Sequence, residues 1–261
     1  MSKQKTVGAV FSKYGIYLVL LLMIIVLSFL SSNFLTLNNA LNILRQASIS
    51  GIIALGMTMV LVTGGIDLSV GSIMAFAGVI ATTFAHPEPK HFILMIILIA
   101  LIVGGICGLA NGAIVSFTGV NPFIVTMGMQ TIARGATLLY TNGRPINDLS
   151  KSFQFIGRGS VGIVSVPIIL FAVMCIISII ILHKSKLGRH IFAVGGNEQA
   201  AKVSGINVAR VKLFVYTYSG ILCGLAGIIL ASRTNAASPN AAELSAVQVR
   251  AVGAEAFTVR L

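Results

Sequence analysis

Apolar residues run along this sequence in long continuous stretches, at about 15–31, 47–63, 69–85, 92–117, 123–140, 163–183 and 212–232. A helix that crosses the hydrocarbon of a bilayer needs about 20 mostly apolar residues, so the pattern predicts about seven transmembrane helices. The stretches do not alternate apolar and polar at every second residue, as the strands of a lipid-facing barrel must. No strands are therefore expected, and the fold class is all-α, a polytopic helical membrane protein. The first stretch resembles a signal peptide only superficially: it is too long for such a core and ends in Ser31, Ser32, Asn33 and Phe34 instead of a small-residue cleavage pattern. It reads as a retained first helix.

The polar positions between the stretches set the orientation. With the N-terminus and its Lys3, Lys5 and Lys13 on the cytoplasmic side, alternation places residues 184–212 inside as well. That segment carries Lys184, Lys186, Arg189, Lys202, Arg210 and Lys212. Cytoplasmic loops are enriched in Lys and Arg, so the rule is met where the charge is densest. Residues 141–166, with Arg144, Lys151 and Arg158, then lie outside, a weaker violation.

Composition agrees with the pattern. Of 261 residues 56% are hydrophobic and 9% charged, against about 25% charged in an ordinary soluble domain. The formal net charge of +12 would suggest nucleic acid in a soluble chain. Here it is spread between membrane runs, where it sets topology and meets lipid headgroups, so nucleic acid is excluded as a partner. Cys107, Cys175 and Cys223 each fall inside an apolar run without paired spacing, which suits buried small residues and neither a disulfide framework nor a metal site.

Gly104, Gly108 and Gly112, and again Gly220 and Gly224, recur at four-residue spacing. Such stripes let helix backbones approach closely in a membrane, and tight packing is the expected role. Asn111, Gln130 and Arg134 are polar residues within or beside apolar runs; for Arg134 the expected role is snorkelling to an interface or pairing with a backbone carbonyl.

Two stretches carry more information. Residues 63–72 separate two apolar runs by almost nothing and place Asp67 near membrane depth. A charge at that depth costs several kcal/mol unless it is solvated or paired. Gly64 and Gly65 permit a sharp turn, and Asp67 or Ser69 can cap the helix that follows. Asp67 thus reads either as a cap in a tight turn or as a residue facing a solute path, and the sequence leaves both open. In residues 187–206, Asn197 suits an N-cap, Glu198 the first turn, Lys202 the last turn, and Gly205 a stop. Glu198 and Lys202 also stand at i, i+4. A helix of about two turns is predicted, and one that short is marginal in water unless it docks on something.

The strings GIDLSVGS at 65–72 and GRHIFAVGGNEQAAKVSGI at 188–206 resemble signatures of ribose-type ABC importer permeases. LTLNNALNIL at 35–44 and LYTNGRPIN at 139–147 are also similar to that family, so the resemblance spans about residues 34–240. It implies a permease domain over 1–240, with a cytoplasmic N-terminus at 1–14 and a cytoplasmic coupling loop at 184–211. It also implies a monosaccharide such as ribose as cargo and the bacterial inner membrane as location. The implied partners are a separate ATP-binding-cassette ATPase subunit, an extracytoplasmic sugar-binding protein, a second permease copy and the lipid bilayer. The implied ATPase-coupling residues are Gly188, Arg189, Gly195, Gly196, Asn197, Glu198, Ala200, Ala201, Ser204 and Gly205. The translocation-domain motif comprises Gly64, Gly65, Asp67, Ser69 and Gly71, with no sugar contact assigned to it.

Past Asn240 the resemblance is lost. Residues 241–261 read as a divergent tail, and the expectation is a truncated or frame-shifted copy that lacks the family's last helices and is impaired in transport. A secondary transporter or channel for a small polar solute is the alternative; such proteins place coupling carboxylates among broken helices, while this chain offers Asp67 alone near membrane depth, Glu88, Asp148 and Glu198 lying in connecting segments. No nucleotide-binding G-x-x-x-x-G-K-[ST] loop, H-E-x-x-H zinc helix or G-x-S-x-G elbow occurs, and His86, His91, His183 and His190 are scattered. No enzymatic activity, cofactor or metal is expected on this chain.

Overall fold

The computed structural model describes residues 3–85 and 93–240, with side chains from Tyr14 onward. His86, Glu88, His91 and the tail at 241–261 lie outside the described residues. The chain divides into two compact units, Met1–Leu44 and Arg45–Leu261.

The first unit holds helix α1 (Lys3–Leu30) and the start of α2 (Leu37–Val62). Thr36 starts α2 by accepting a bond from the Asn39 amide at 3.3 Å, and the Asn39 side chain reaches back to the Phe34 carbonyl at 2.8 Å. The first bond satisfies a donor that a helix N-terminus leaves open, and the second ties the Asn39 side chain to the preceding turn.

The second unit continues α2 and adds α3 (Val70–Thr82), α4 (Ile93–Thr118), α5 (Pro122–Thr141), α6 (Lys151–Arg158), α7 (Val166–Ile179), α8 (Lys186–Gly196), α9 (Glu198–Val203) and α10 (Val208–Thr234). A π-helical turn, Ile180–Lys184, extends α7. Local chemistry sets the ends. Asn121 caps α5 with Pro122 in its first turn, and Asn207 caps α10 by accepting from the Arg210 amide at 3.0 Å. Asn142 and Asn235 stop α5 and α10 in the left-handed conformation that asparagine tolerates. Short strand pairs do form, against expectation: β1 (Ile146–Asn147) with β4 (Ala236–Ala237), and β2 (Ser160–Val161) with β3 (Val164–Ser165). They are two residues each and close loops beside helix ends, where apolar periodicity carries no signal.

Among the described residues four helices are long and apolar enough to cross a membrane: Leu37–Val62, Ile93–Thr118, the continuous Val166–Lys184, and Val208–Thr234. Tyr14–Leu30 and Val70–Thr82 are shorter apolar helices. At 13 residues, α3 is about 20 Å long, against a hydrocarbon core of about 30 Å. The apolar run at 69–85 is thus a short helix entered from a turn.

Helix α10 is the centre of the unit. Of its apolar window 72% is buried, against 11% for the α7 segment, so α10 is surrounded by protein while α7 presents most of its surface outward. The glycine stripes explain how α10 is reached. A Cβ on Gly104 would run into the Gly220 carbonyl, one on Gly108 into the Tyr216 carbonyl, and one on Gly224 into the Ala100 carbonyl. Helices α4 and α10 therefore touch backbone to backbone, the arrangement that small residues permit where apolar burial supplies no drive. Gly227 meets the Met74 carbonyl in the same way and brings α3 onto α10. All three cysteines are free, and Cys223 is fully buried on α10.

Candidate functional site

The first feature is the turn between α2 and α3. Gly64, at φ +80°, and Gly65 donate to the carbonyls of Leu61 and Val60 at 2.9 and 3.0 Å, which ends α2 in a glycine stop. Gly65 has no room for a side chain, since a Cβ would stand 2.5 Å from the Tyr216 hydroxyl. Gly71 lies buried in the first turn of α3.

Asp67 sits in this turn at 1% exposure. Its Oδ1 accepts from the Ser69 amide at 2.9 Å and from the Ser69 hydroxyl. Ser69 in turn accepts from Asn111 Nδ2 at 2.9 Å, which ties the turn to α4. Ser219 of α10, fully buried, faces the same carboxyl, although its hydroxyl makes no hydrogen bond of good geometry among the described residues. The hydroxyls of Tyr216 and Thr126 approach the Ile66 carbonyl at long range, 3.4 Å each. Asp67 is therefore an enclosed fastening point between α3, α4 and α10. Ser69 does not cap α3 with its side chain; its hydroxyl is already used between Asp67 and Asn111.

Asp67 Oδ2 and Asn111 Oδ1 also lack a donor among the described residues. Both hydrogen bonds to the carboxyl come from one neutral residue, Ser69. Burying a charge without a counter-ion is expensive, and such an arrangement persists only where position matters to the fold or its work.

The second feature is the α8–α9 segment. Ser185 caps α8 by accepting from the Gly188 amide at 3.0 Å. Gly188 is packed against the Leu182 carbonyl, and Gly195 against the Val62 carbonyl at the end of α2. Gly196 faces open space. Asn197 caps α9 through the Ala200 amide at 2.9 Å, as its residue type predicts. Ser204 bonds the Ala200 carbonyl at 2.8 Å, and Gly205 stops the segment at φ +83°. Arg189, Glu198 and Ala200 are exposed, while Ala201 is buried beneath them.

One expectation for this segment is corrected, and one element is added to it. Residues 186–196 form a helix of their own, because Ser185 caps it and the buried Ile191 and Val194 anchor it. Glu198 does not pair with Lys202: both its carboxylate oxygens accept from Lys212 Nζ, at 2.9 and 2.8 Å. The chain reverses after α9, so the first turns of α10 bring Lys212 closer than a neighbour on so short a helix.

The structure thus joins the two stretches that carry the sequence signal, through Gly195 on Val62. It adds Asn111, Tyr216, Ser219 and Lys212. For Asn111 a polar residue in an apolar run was the signal, whereas Tyr216 and Ser219 carry no distinguishing pattern. Arg134 lies on the exposed face of α5 and Gln130 is half-buried; neither belongs to the cluster. A groove of about 180 Å³ between α3 and α10 is lined by Met74, Gly78, Gly227 and Leu230, with Thr234, Ser238 and Asn240 as its polar side chains. It offers a sugar few hydrogen bonds. No group of three metal-ligating side chains occurs among the described residues.

Residues 39–257 match the family described as the permease component of branched-chain amino acid transport systems. The ribose import permease of Haemophilus influenzae is 41% identical over 91% of this chain and 75% of its own length. The chain belongs to the ribose-type ABC permease family.

Other permeases of that family are similar at comparable length. The ribose import permease of Bacillus subtilis is 40% identical over 90% of this chain and 73% of its own length. The galactose/methyl galactoside import permease of Salmonella typhimurium is 35% identical over 94% and 79%. No solved structure matches. The family match extends to residue 257, past Asn240, where the resemblance read from the sequence ends. As a member of this permease family the chain is a multi-pass membrane protein and not an enzyme.

Proposed function

We propose that this chain is the membrane-spanning subunit of an importer for a monosaccharide of the ribose type. The observation that carries the reading is the 41% identity to a ribose import permease over 91% of the chain. The broad family description names branched-chain amino acids, yet relatives named for ribose, galactose and allose align with this chain at 34 to 41% identity. The energy source is a separate ATPase subunit, and a sugar-binding protein delivers the cargo from the outer side. A second copy of the permease completes the path.

The ATPase docks on α8 and α9. Support comes from what these helices expose: Val203 is 90% exposed and Phe192 48% exposed, beside Arg189 and Lys202. An apolar side chain left so open on a short helix suits a protein partner. The Lys212–Glu198 pair holds α9 in place, which lowers the ordering cost of docking. With the N-terminus in the cytoplasm this surface faces inward, where the basic residues of 184–212 obey the positive-inside rule. Asp67, Ser69, Gly65 and Gly71 form the packed core of the translocation domain, and the exposed Gly64 turns the chain into it.

Copurification tests the docking. Deletion of 197–204, or Glu198→Leu, should strip the ATPase subunit from the importer while the permease still reaches the membrane. Retention of the ATPase at wild-type stoichiometry would refute it. Uptake of labelled ribose, galactose and allose by cells that rely on this importer identifies the sugar.

A further inference from the structure

The glycine pair at 195 and 196 occupies two unlike environments. A methyl group on Gly196 would meet open space, whereas one on Gly195 would run into the Val62 carbonyl oxygen and lie 2.9 Å from its carbon. The contact is backbone on backbone, with no side chain between to change rotamer. A shift of α8 at this point therefore cannot be absorbed locally, because packed interiors are stiff.

The turn that receives the contact is also backed from behind. Beyond Val62 the chain passes through Gly64 to Gly65, which rests against the Tyr216 hydroxyl and Val60 Cγ1. Two residues on, Asp67 and Ser69 fasten the same turn to Asn111 of α4, beside Ser219 of α10. Those two helices are themselves in backbone contact, through Gly104, Gly108 and Gly220. The route from α8 to the α4–α10 pair is thus short, and its first joint is a glycine with no clearance.

We infer that Gly195 is a positioning residue, the joint through which a displacement of α8 and α9 by the docked ATPase reaches the Asp67 turn and the α4–α10 pair. The inference rests on the reading of α8 and α9 as the ATPase-docking segment. It assigns unlike roles to neighbouring glycines: Gly195 transmits, while Gly196 leaves the surface before α9 open.

The test uses the assembled importer in proteoliposomes and reads two quantities: ATPase bound per permease, and sugar moved per ATP hydrolysed. Gly195→Ala should keep the bound ATPase and lower the sugar-to-ATP ratio by about fivefold or more, the lower end of ordinary coupling free energies. A residue with only a packing role would reduce the amount of folded importer and leave that ratio alone. Gly135→Ala, on α5 where nothing lies within 4 Å, is the control and should transport as wild type. A folded Gly195→Ala importer with an unchanged ratio overturns the inference.

If Gly195→Ala fails to accumulate, the same turn is displaced from the opposite side. Gly65→Ala should lower the ratio, and Tyr216→Phe in the same chain, which removes the obstructing hydroxyl, should restore it. Absence of either effect overturns the joint. Wild-type importer that holds no ATPase would overturn the docking reading, and the joint with it, and is distinguished by the first quantity alone.

Discussion

Replacing Asp67 by Ala and by Asn separates what its oxygen positions do from what its charge does. Oδ1 accepts two bonds from Ser69, one from a buried amide. Alanine leaves that amide without an acceptor and frees the Ser69 hydroxyl from its fixed direction. An unsatisfied buried donor costs about 1–3 kcal/mol, so with the second bond lost the total is about 2–4 kcal/mol. Asparagine keeps an oxygen at Oδ1 and puts an amide nitrogen where Oδ2 stands, on a side chain faced by the Ser219 hydroxyl, which has no partner among the described residues. It also removes an ionisable group from a buried site whose hydrogen bonds come from the neutral Ser69. Asp67→Asn should therefore be at least as stable as wild type, by up to about 1–2 kcal/mol. Thermal unfolding of the detergent-purified protein can be followed with a thiol-reactive dye, because Cys223 is fully buried until the fold opens. With about 2–4 °C per kcal/mol for a chain of this size, the alanine variant should melt about 4–16 °C lower. If Asp67→Asn falls as far as Asp67→Ala, the ionised carboxylate and not its acceptor geometry holds the turn, and this reasoning fails.

Gly220→Ala should lower the melting temperature, because its Cβ would strike the Gly104 carbonyl and overpacking costs about 1–3 kcal/mol. Gly128→Ala on α5, where the Cβ meets open space, should leave it unchanged or raise it, since alanine favours a helix over glycine by about 1 kcal/mol; equal losses in both would refute the close-approach argument. The Glu198–Lys212 pair has a half-exposed carboxylate, so Lys212→Met should cost less than about 1 kcal/mol. The charge swap Glu198→Lys with Lys212→Glu should recover most of that loss in a double-mutant cycle of melting temperatures, and no recovery would mean that the pair is not coupled.

Much of the helical fold is legible in the sequence because membrane helices announce themselves through uninterrupted apolar length. Helices that can span a bilayer cover the runs at 47–63, 92–117, 163–183 and 212–232 to within three residues at an end. Caps at Asn197 and stops at Gly64 and Gly205 are equally local, since a side-chain oxygen or a positive φ acts within a few residues. Local signals fail where a partner comes from far along the chain. The i, i+4 spacing of Glu198 and Lys202 points to a pair that does not form, because Lys212 returns from beyond the turn.

The sequence by itself determined that this is a helical membrane protein, where its chain turns, and, through the strings at 65–72 and 188–206, which family it belongs to. Hydrophobic run length, glycine conformation and capping chemistry are properties of contiguous residues, so they can be read in order. Only the tertiary structure decided that Asp67 is enclosed, that Asn111 of α4 fastens its turn while Ser219 of α10 faces it, and that Gly195 abuts Val62 while Gly196 abuts nothing. Those facts depend on which helix faces which, and in a bilayer that choice is made by backbone contact between small residues, for which the linear sequence of apolar side chains carries little record.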